Sequence, residues 1–307
     1  MAGARTVRAL VAHAIDEFEK AGLSYGHGTA NALDEAAWLI LHALGLPPVN
    51  LDAHLDTPLT AAQVKAATAL IDARVRTRKP AAYLMHEAWL GTHRFYVDER
   101  VIVPRSFIAE LLENWCQRPI SEAPAGRRSP PKRVSDTSFQ ILDLCTGSGC
   151  LAIVAALAFP RATVDAADIS ADALEVAKRN VADYGLQARV RLVKSDLFAA
   201  LEGRAYDLVI SNPPYVKAAS MKALPDEYRK EPRIALASGA DGLDHTRRIL
   251  DEAFGHMNPG GTLVVEIGRN RKALERACPE LPFEWPATRA GRGFVFALPR
   301  EALRGKA

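Results

Sequence analysis

A chain of 307 residues with 49% hydrophobic content has material for two domains with sizeable cores. Its formal charge of only +3 is too mild to mark a dedicated nucleic-acid binder, though it would permit an RNA-rich partner. Four cysteines, Cys116, Cys145, Cys150 and Cys278, form no Cys-x-x-Cys pair; they argue against zinc and a disulfide framework and for reduced thiols in a cytoplasmic protein, with no leader and no membrane span expected.

From Val7 to about Lys79 apolar residues recur at three and four, first as Leu10, Val11, Ala14, Ile15 and Phe18, then as Ala36, Leu39, Ile40 and Ala43 before Gly45 and Pro47-Pro48. Thr60 caps a third run through Val64, Ala67, Leu70, Ile71 and Val75, so a small helical bundle is expected over 1–80. His13, His42 and His54 lie at no metal spacing and read as solvated or satisfied histidines. After Pro80 the runs 88–90, 95–97 and 101–103, parted by Gly91 and Asp98, read as a hairpin joining two domains. It ends in Pro104-Arg105-Ser106, ahead of an apolar helix from Phe107 to about Trp115, the connecting region being 81–118. Arg105 is an ordinary surface charge on one reading and, beside a proline and directly before a helix, a cofactor-pocket candidate on the other. Residues 119–138 hold four prolines and four basic side chains with almost no large apolar group, which predicts a flexible solvated excursion.

The remaining chain, 139–307, reads as a second domain. An apolar strand from Ile141 runs through Asp143, Cys145 and Thr146 into Gly147-Ser148-Gly149 and then a helix over 151–159, the context of a nucleotide-type loop. Gly147 and Gly149 let backbone approach a ligand where a Cβ would collide, and the helix N-terminus suits a carboxylate as well as a phosphate. Asp168 ends the next strand, 21 positions after Gly147 (168 − 147), where a carboxylate can take both ribose hydroxyls. NAD and S-adenosylmethionine are served alike by that much; Asp143, at the strand end, is placed to meet the amino group that only the second ligand's amino-acid end carries there. A helix over 171–183 and a strand over 189–193 lead to Ser195-Asp196-Leu197, where Asp196 accepts from an adenine amine and Leu197 packs on the ring, or where Ser195 and Asp196 merely cap a turn.

A buried strand over 206–210 then stops at Ser211-Asn212-Pro213-Pro214-Tyr215. Two consecutive prolines hold an extended turn at the sheet's C-terminal edge, where open α/β folds bind ligands. Asn212 Oδ1 and the Pro213 carbonyl can each accept one N–H of a planar NH2 group, and Tyr215 can pack against its plane. From Val216 to Gly242 the chain is polar and irregular and reads as an active-site cover. A helix over 243–257, a strand over 262–267 and a helix over 270–277 follow, and the runs 283–285 and 294–298 are expected to pair antiparallel at a sheet edge.

Asn212-Pro213-Pro214-Tyr215 after a fourth strand resembles the signature of amino-group methyltransferases acting on planar nitrogens, either glutamine amides or adenine N6. With the helical segment and hairpin, the chain resembles the protein-(glutamine-N5) methyltransferases along nearly its whole length. The stretches 95–106 and 144–150 are similar to the sub-family that modifies the third large-subunit ribosomal protein; release-factor enzymes usually carry Gly where Cys145 stands. Phe107, where Pro is usual, and the long 119–138 segment depart from the pattern. The resemblance implies an α/β class I S-adenosylmethionine-dependent methyltransferase with a Rossmann-like seven-stranded sheet and a small N-terminal helical domain. It also implies S-adenosylmethionine as cofactor, a ribosomal-protein substrate, possible contact with ribosomal RNA or an assembling particle, no metal and no membrane. The positions implied are Asp143, Cys145, Thr146, Gly147, Ser148, Gly149, Asp168, Asp196, Leu197, Asn212 and Arg105 for the cofactor, and Asn212, Pro213, Pro214 and Tyr215 for catalysis and substrate. A release-factor enzyme, an adenine-N6 methyltransferase and an idle binding module are the alternatives.

Overall fold

The computed structural model describes residues 6–116 and 139–305, so the excursion expected over 119–138 lies outside the described residues. Helices α1 (Val7–Lys20), α2 (Ala32–Ala43) and α3 (Ala61–Thr77) begin at side-chain caps supplied by Thr6, Asn31 and Thr60, the last in a capping box with Gln63. Their apolar faces form one core with the short helix α4 (Ala81–Met85). That core also takes in Val97, Val101 and Val103 of the connector and Ala173 and Val176 of a helix in the sheet region, so the helical segment is packed onto the rest of the chain. Strands β1 (Ala88–Leu90) and β2 (His93–Phe95) make the expected hairpin. The run 101–103 forms no strand; it is an extended strap whose Val101 and Val103 are buried.

Helix α5 (Ile108–Cys116) leads to strand β3 (Gln140–Leu144), helix α6 (Cys150–Ala158), strand β4 (Thr163–Asp168), helix α7 (Ala171–Asp183), strand β5 (Val190–Lys194) and strand β6 (Tyr206–Ser211). The cover contains helix α8 (Ala218–Met221) and two single 3-10 turns, Tyr228–Lys230 and Arg233–Ala235. Helix α9 (Asp244–Glu252), strand β7 (Met257–Glu266), helix α10 (Arg271–Ala277), the two-residue strands β8 (Ala287–Thr288) and β9 (Gly291–Arg292), and strand β10 (Val295–Pro299) complete the chain.

The sheet runs β10-β7-β6-β3-β4-β5, with β10 antiparallel and the rest parallel. Because β4 and β6 flank β3 on opposite sides, the chain reverses its direction of travel across the sheet there, and a crevice opens at the C-terminal ends of β3, β4 and β6. The seventh strand expected at 283–285 is reduced to one antiparallel bridge, Glu284 to Ala297, leaving six strands in this sheet among the described residues. Pro282 and Pro286 flank those three residues and withhold the N–H groups that a longer ladder needs. Packing takes over: the Phe283 and Trp285 rings meet Phe296 edge-on at 5.0 and 6.1 Å. Strand β7 also starts earlier than expected, with a register shift against β6 between Tyr206 and Leu208 that absorbs the Asn258-Pro259-Gly260-Gly261 stretch.

Candidate active site

The crevice is assembled from four strand ends. The Ser211 hydroxyl donates to the Leu144 carbonyl (2.9 Å), fixing the end of β6 to the end of β3. Pro213 and Pro214 then turn the chain out of the sheet, and Asn212 is left at the edge with its Oδ1 buried and without a hydrogen-bond partner among the described residues. Leaving such an acceptor unpaired costs about 1–3 kcal/mol. It marks the point where a donor belongs.

Asn212 stands between two cavities. The first is lined by Cys145, Gly147, Asp168, Asp196, Leu197, Asn212 and Pro214, with Arg100, Ile234, His245 and Arg248 at its sides. The second is lined by Arg105, Asn212, Pro213, Tyr215 and Tyr228 among aliphatic side chains of the cover. They share Ile102, Asn212 and Ala235, so a ligand in one abuts a ligand in the other at the asparagine amide.

The loop after β3 is braced from beneath. Asp143 is fully buried and does not line either cavity; its Oδ2 accepts from the Thr146 hydroxyl (2.5 Å) and the Ala152 amide (3.0 Å) at the start of α6. The amino-group contact expected of Asp143 is therefore not where its bonded oxygen points, although its Oδ1 has no partner among the described residues. Burial pushes this carboxyl up to about 7 against those two hydrogen bonds. Thr146, Ser148 and Gly149 likewise sit below the bend rather than facing the first cavity. Gly149 is needed for packing: at φ +79 its missing Cβ would lie 3.1 Å from Ala177 Cβ on α7. Gly147, at φ +56, has open space where its Cβ would be, so the backbone there is accessible from the cavity it lines. Cys145 adopts φ +58, the left-handed region that favours glycine, which gives a physical reason for glycine at that position in other chains.

Asp168 ties the loop to β4, accepting from the Gly147 amide (2.8 Å) and the Ser170 amide (2.9 Å) while still facing the cavity. Burial raises its pKa, opposed by those backbone bonds. Asp196 lines the cavity but is paired with Arg248 (2.9 Å), both about half exposed. Ser195 does cap the turn, accepting from the Ala200 amide (3.0 Å) and donating to the Leu197 carbonyl (2.7 Å).

Arg105 lines the second cavity and not the first, held two-pronged by Glu231 of the cover at 2.5 Å to each oxygen. Glu231 is buried, which by itself would raise its pKa, but the Arg105 charge and hydrogen bonds prevail and hold it at about 2. Tyr215 packs against Gly268, and its carbonyl accepts from the Asn270 side chain (2.8 Å). His245, Arg248 and Glu231 belong to no motif, and Arg100 falls within the 95–106 stretch without being singled out; the only hint for Glu231 is its place in the long polar cover.

Behind Tyr215, the buried Glu266 carboxylate accepts from the Ser106 hydroxyl (2.7 Å) and the Phe107 amide (2.9 Å), and burial pushes it up to about 7. Its folded pKa is raised, so the folded chain binds more protons than the unfolded chain between about pH 4 and 7, and stability falls as pH rises through that window. Glu266→Gln should therefore unfold with about 2 kcal/mol less pH sensitivity between pH 5 and pH 8, in denaturant titrations at both values. An unchanged pH slope would remove Glu266 as the source.

Residues 131–239 match the methyltransferase small domain family, and residues 9–85 match the PrmC N-terminal domain family. The chain is 54% identical to the ribosomal protein uL3 glutamine methyltransferase of Neisseria meningitidis serogroup B, over 98% of this chain and 95% of that one. It is 50% identical to the proteins of the same name from Burkholderia pseudomallei, over 96% and 94% of the two chains, and Bradyrhizobium diazoefficiens, over 93% and 88%. The chain belongs to the uL3 glutamine methyltransferase family.

Among solved structures, the catalytic domain of hMettl16 in complex with MAT2A 3'UTR hairpin 6 superposes with a TM-score of 0.50 at 14% identity, over 82% of this chain and 85% of that one, which supports the methyltransferase fold. In this uL3 glutamine methyltransferase family member, the PrmC-type N-terminal segment comprises α1 to α4, and no described helix is long and apolar enough to cross a membrane. No metal-binding cluster of His, Cys, Asp and Glu occurs among the described residues.

Proposed function

We propose that the protein methylates the side-chain amide nitrogen of a glutamine in ribosomal protein uL3, using S-adenosylmethionine and giving N(5)-methylglutamine. The observation that carries this reading is the buried, unpartnered Asn212 Oδ1 at the junction of two cavities. The first cavity fits the cofactor. Gly147 offers open backbone, Asp168 presents a carboxylate for ribose hydroxyls, and Leu197 and Ile169 offer apolar surface for an adenine ring, with Asp196 near its edge. When bound there, S-adenosylmethionine supplies an electrophilic methyl group on a positively charged sulfur.

The chain's own work is orientation. An amide nitrogen is a poor nucleophile because its lone pair is delocalised into the carbonyl. Asn212 Oδ1 and the Pro213 carbonyl each accept one N–H of the glutamine NH2, holding the nitrogen toward the first cavity and drawing electron density onto it. Pro214 fixes the turn and Tyr215 packs beside the amide plane. With the cofactor bound, the nitrogen would bond to the methyl carbon as the sulfur–methyl bond breaks, S-adenosylhomocysteine leaving with that electron pair, and the nitrogen would then release one proton to solvent, so no strong base is required in the site. Cys145 lines the cofactor's cavity, while Thr146, Ser148, Gly149 and Asp143 act on the cofactor through the loop they shape. The helical segment over 1–80 serves substrate recognition, the enzyme works in the cytoplasm where ribosomes assemble, and ribosomal RNA lies within reach of a substrate presented on an assembling particle.

Incubating the enzyme with methyl-labelled cofactor and, separately, purified uL3, a release factor and nucleic acid tests the assignment. Label should enter uL3 on one glutamine; label entering only the release factor or nucleic acid would overturn it. Asp168→Asn should weaken cofactor binding roughly tenfold to hundredfold by calorimetry, the range for a lost hydrogen bond to a charged group. Unaltered affinity would move the ribose site elsewhere.

A further inference from the structure

The second cavity contains a charge that its chemistry does not call for. Among the described residues lining it, Arg105 is the one ionic side chain, in company with Asn212, Tyr215, Tyr228 and aliphatic groups. A quarter of the Arg105 side chain is exposed, while Glu231 behind it is wholly buried. Glu231 is secured by more than Arg105: its Oε1 accepts from the Val103 amide (3.0 Å), and His27 Nε2 approaches its Oε2 at 3.6 Å. Arg105 is secured in turn, donating to the Val103 carbonyl (3.2 Å) and lying over the Tyr228 ring at 5.7 Å. The guanidinium is thus matched oxygen for nitrogen by a partner that never enters the cavity.

We propose that Glu231 is a specificity-determining positioning residue: by cancelling the charge of Arg105 it makes the second cavity a receptor for a neutral amide and against the isosteric carboxylate. This rests on reading that cavity as the glutamine chamber. Glutamine and glutamate side chains have the same shape, and only electrostatics can part them. A carboxylate entering this chamber would leave water to face an already satisfied cation and the Asn212 Oδ1 acceptor, an unpaired buried charge beside a lone pair. An amide loses less hydration and brings the two donors that Asn212 and Pro213 lack. If Glu231 lost its charge, Arg105 would become an unmatched cation with a fork geometry suited to a carboxylate.

Glu231→Gln keeps the shape and retains an acceptor for the Val103 amide. The assay uses the full-length enzyme with uL3 as substrate and, as competitive inhibitor, uL3 carrying glutamate at the methylated position. In Glu231→Gln the inhibitor should bind about tenfold or more tighter relative to wild type, as expected for one new charge-assisted pairing, while KM for uL3 rises more than kcat falls. The double variant Arg105→Met with Glu231→Gln, neutral again, should return the inhibition ratio to the wild-type value. Arg105→Met alone, which uncovers the Glu231 anion, should move the ratio the opposite way, and decides the matter if Glu231→Gln does not fold. Cofactor affinity by calorimetry reports folding in each case. An unchanged ratio in variants that bind cofactor would show that Glu231 only braces the fold. Failure of the wild-type enzyme to methylate a glutamine of uL3 would instead remove the chamber's assignment itself.

Discussion

Replacing Asn212 by alanine is expected to lower kcat about 100- to 1,000-fold, the range seen when one preorganised polar group facing the reacting atoms is removed. Cofactor affinity should change little, because Asn212 is one of many residues lining the first cavity, Gly147, Asp168 and Leu197 among them. The separation between the two effects is the diagnostic part. Asn212 Oδ1 makes no hydrogen bond within the described residues, so removing it breaks no internal contact that could unfold the turn. The Ser211 bond to Leu144 and the two prolines still hold the backbone in place. Single-turnover rates at saturating substrate, with calorimetry for the cofactor, check this. Parallel loss of both would make Asn212 a structural residue.

The second large effect is expected far from the chemistry. Arg74→Met should destabilise the protein by about 3–5 kcal/mol, the cost of stranding the buried Glu35 carboxylate when its cation is removed. Arg74 is wholly buried on α3 and donates to Glu35 of α2 (2.6 Å) and to the Ser24 carbonyl (3.1 Å), and it lies 3.6 Å from Glu227 of the cover. Glu227 is itself buried and also accepts from the Ser24 amide (3.2 Å) and pairs with Arg78 at 2.8 Å. One guanidinium therefore connects two helices of the N-terminal segment to the loop that walls the second cavity. Denaturant titration should show the loss in midpoint, and KM for the protein substrate should rise with it because the cover is released. The companion variant Arg74→Met with Glu35→Leu strands one charge fewer and should recover part of the stability. A loss below about 1 kcal/mol for Arg74→Met would mean that the cluster is solvated in solution.

The contrast between these two residues explains what could be seen in the sequence. Asn212, Asp168 and Gly147 were legible because their meaning is local: a strand, a turn residue and a helix start within a few positions fix where each side chain or backbone group emerges. Helix α7 was placed at 171–183 for the same reason, with Ser170 as its cap. Asp143 was legible in position, but its bond to the Ala152 amide was not, since that depends on how tightly α6 folds back over β3. Arg105 was noticed, but its place on the second cavity was not legible, because its partner Glu231 lies 126 residues away and no periodicity links them. Arg74 lies inside a run read only for its apolar spacing, and only the fold brings Glu35 and Glu227 to it. The antiparallel pairing of 283–285 with 294–298 was legible from the lack of a helix between them; its shortening to the single bridge Glu284 to Ala297 follows from Pro282 and Pro286.

The central claim is that a planar glutamine NH2 is gripped at Asn212 where the two cavities meet. A crystal structure of the enzyme with S-adenosylhomocysteine and a uL3 segment tests it most directly. The account predicts the homocysteine sulfur over the bend at Gly147 in the first cavity, and the glutamine amide in the second with its N–H groups on Asn212 Oδ1 and the Pro213 carbonyl. A glutamine side chain bound away from Asn212, or its carbonyl oxygen turned toward that acceptor, would contradict it.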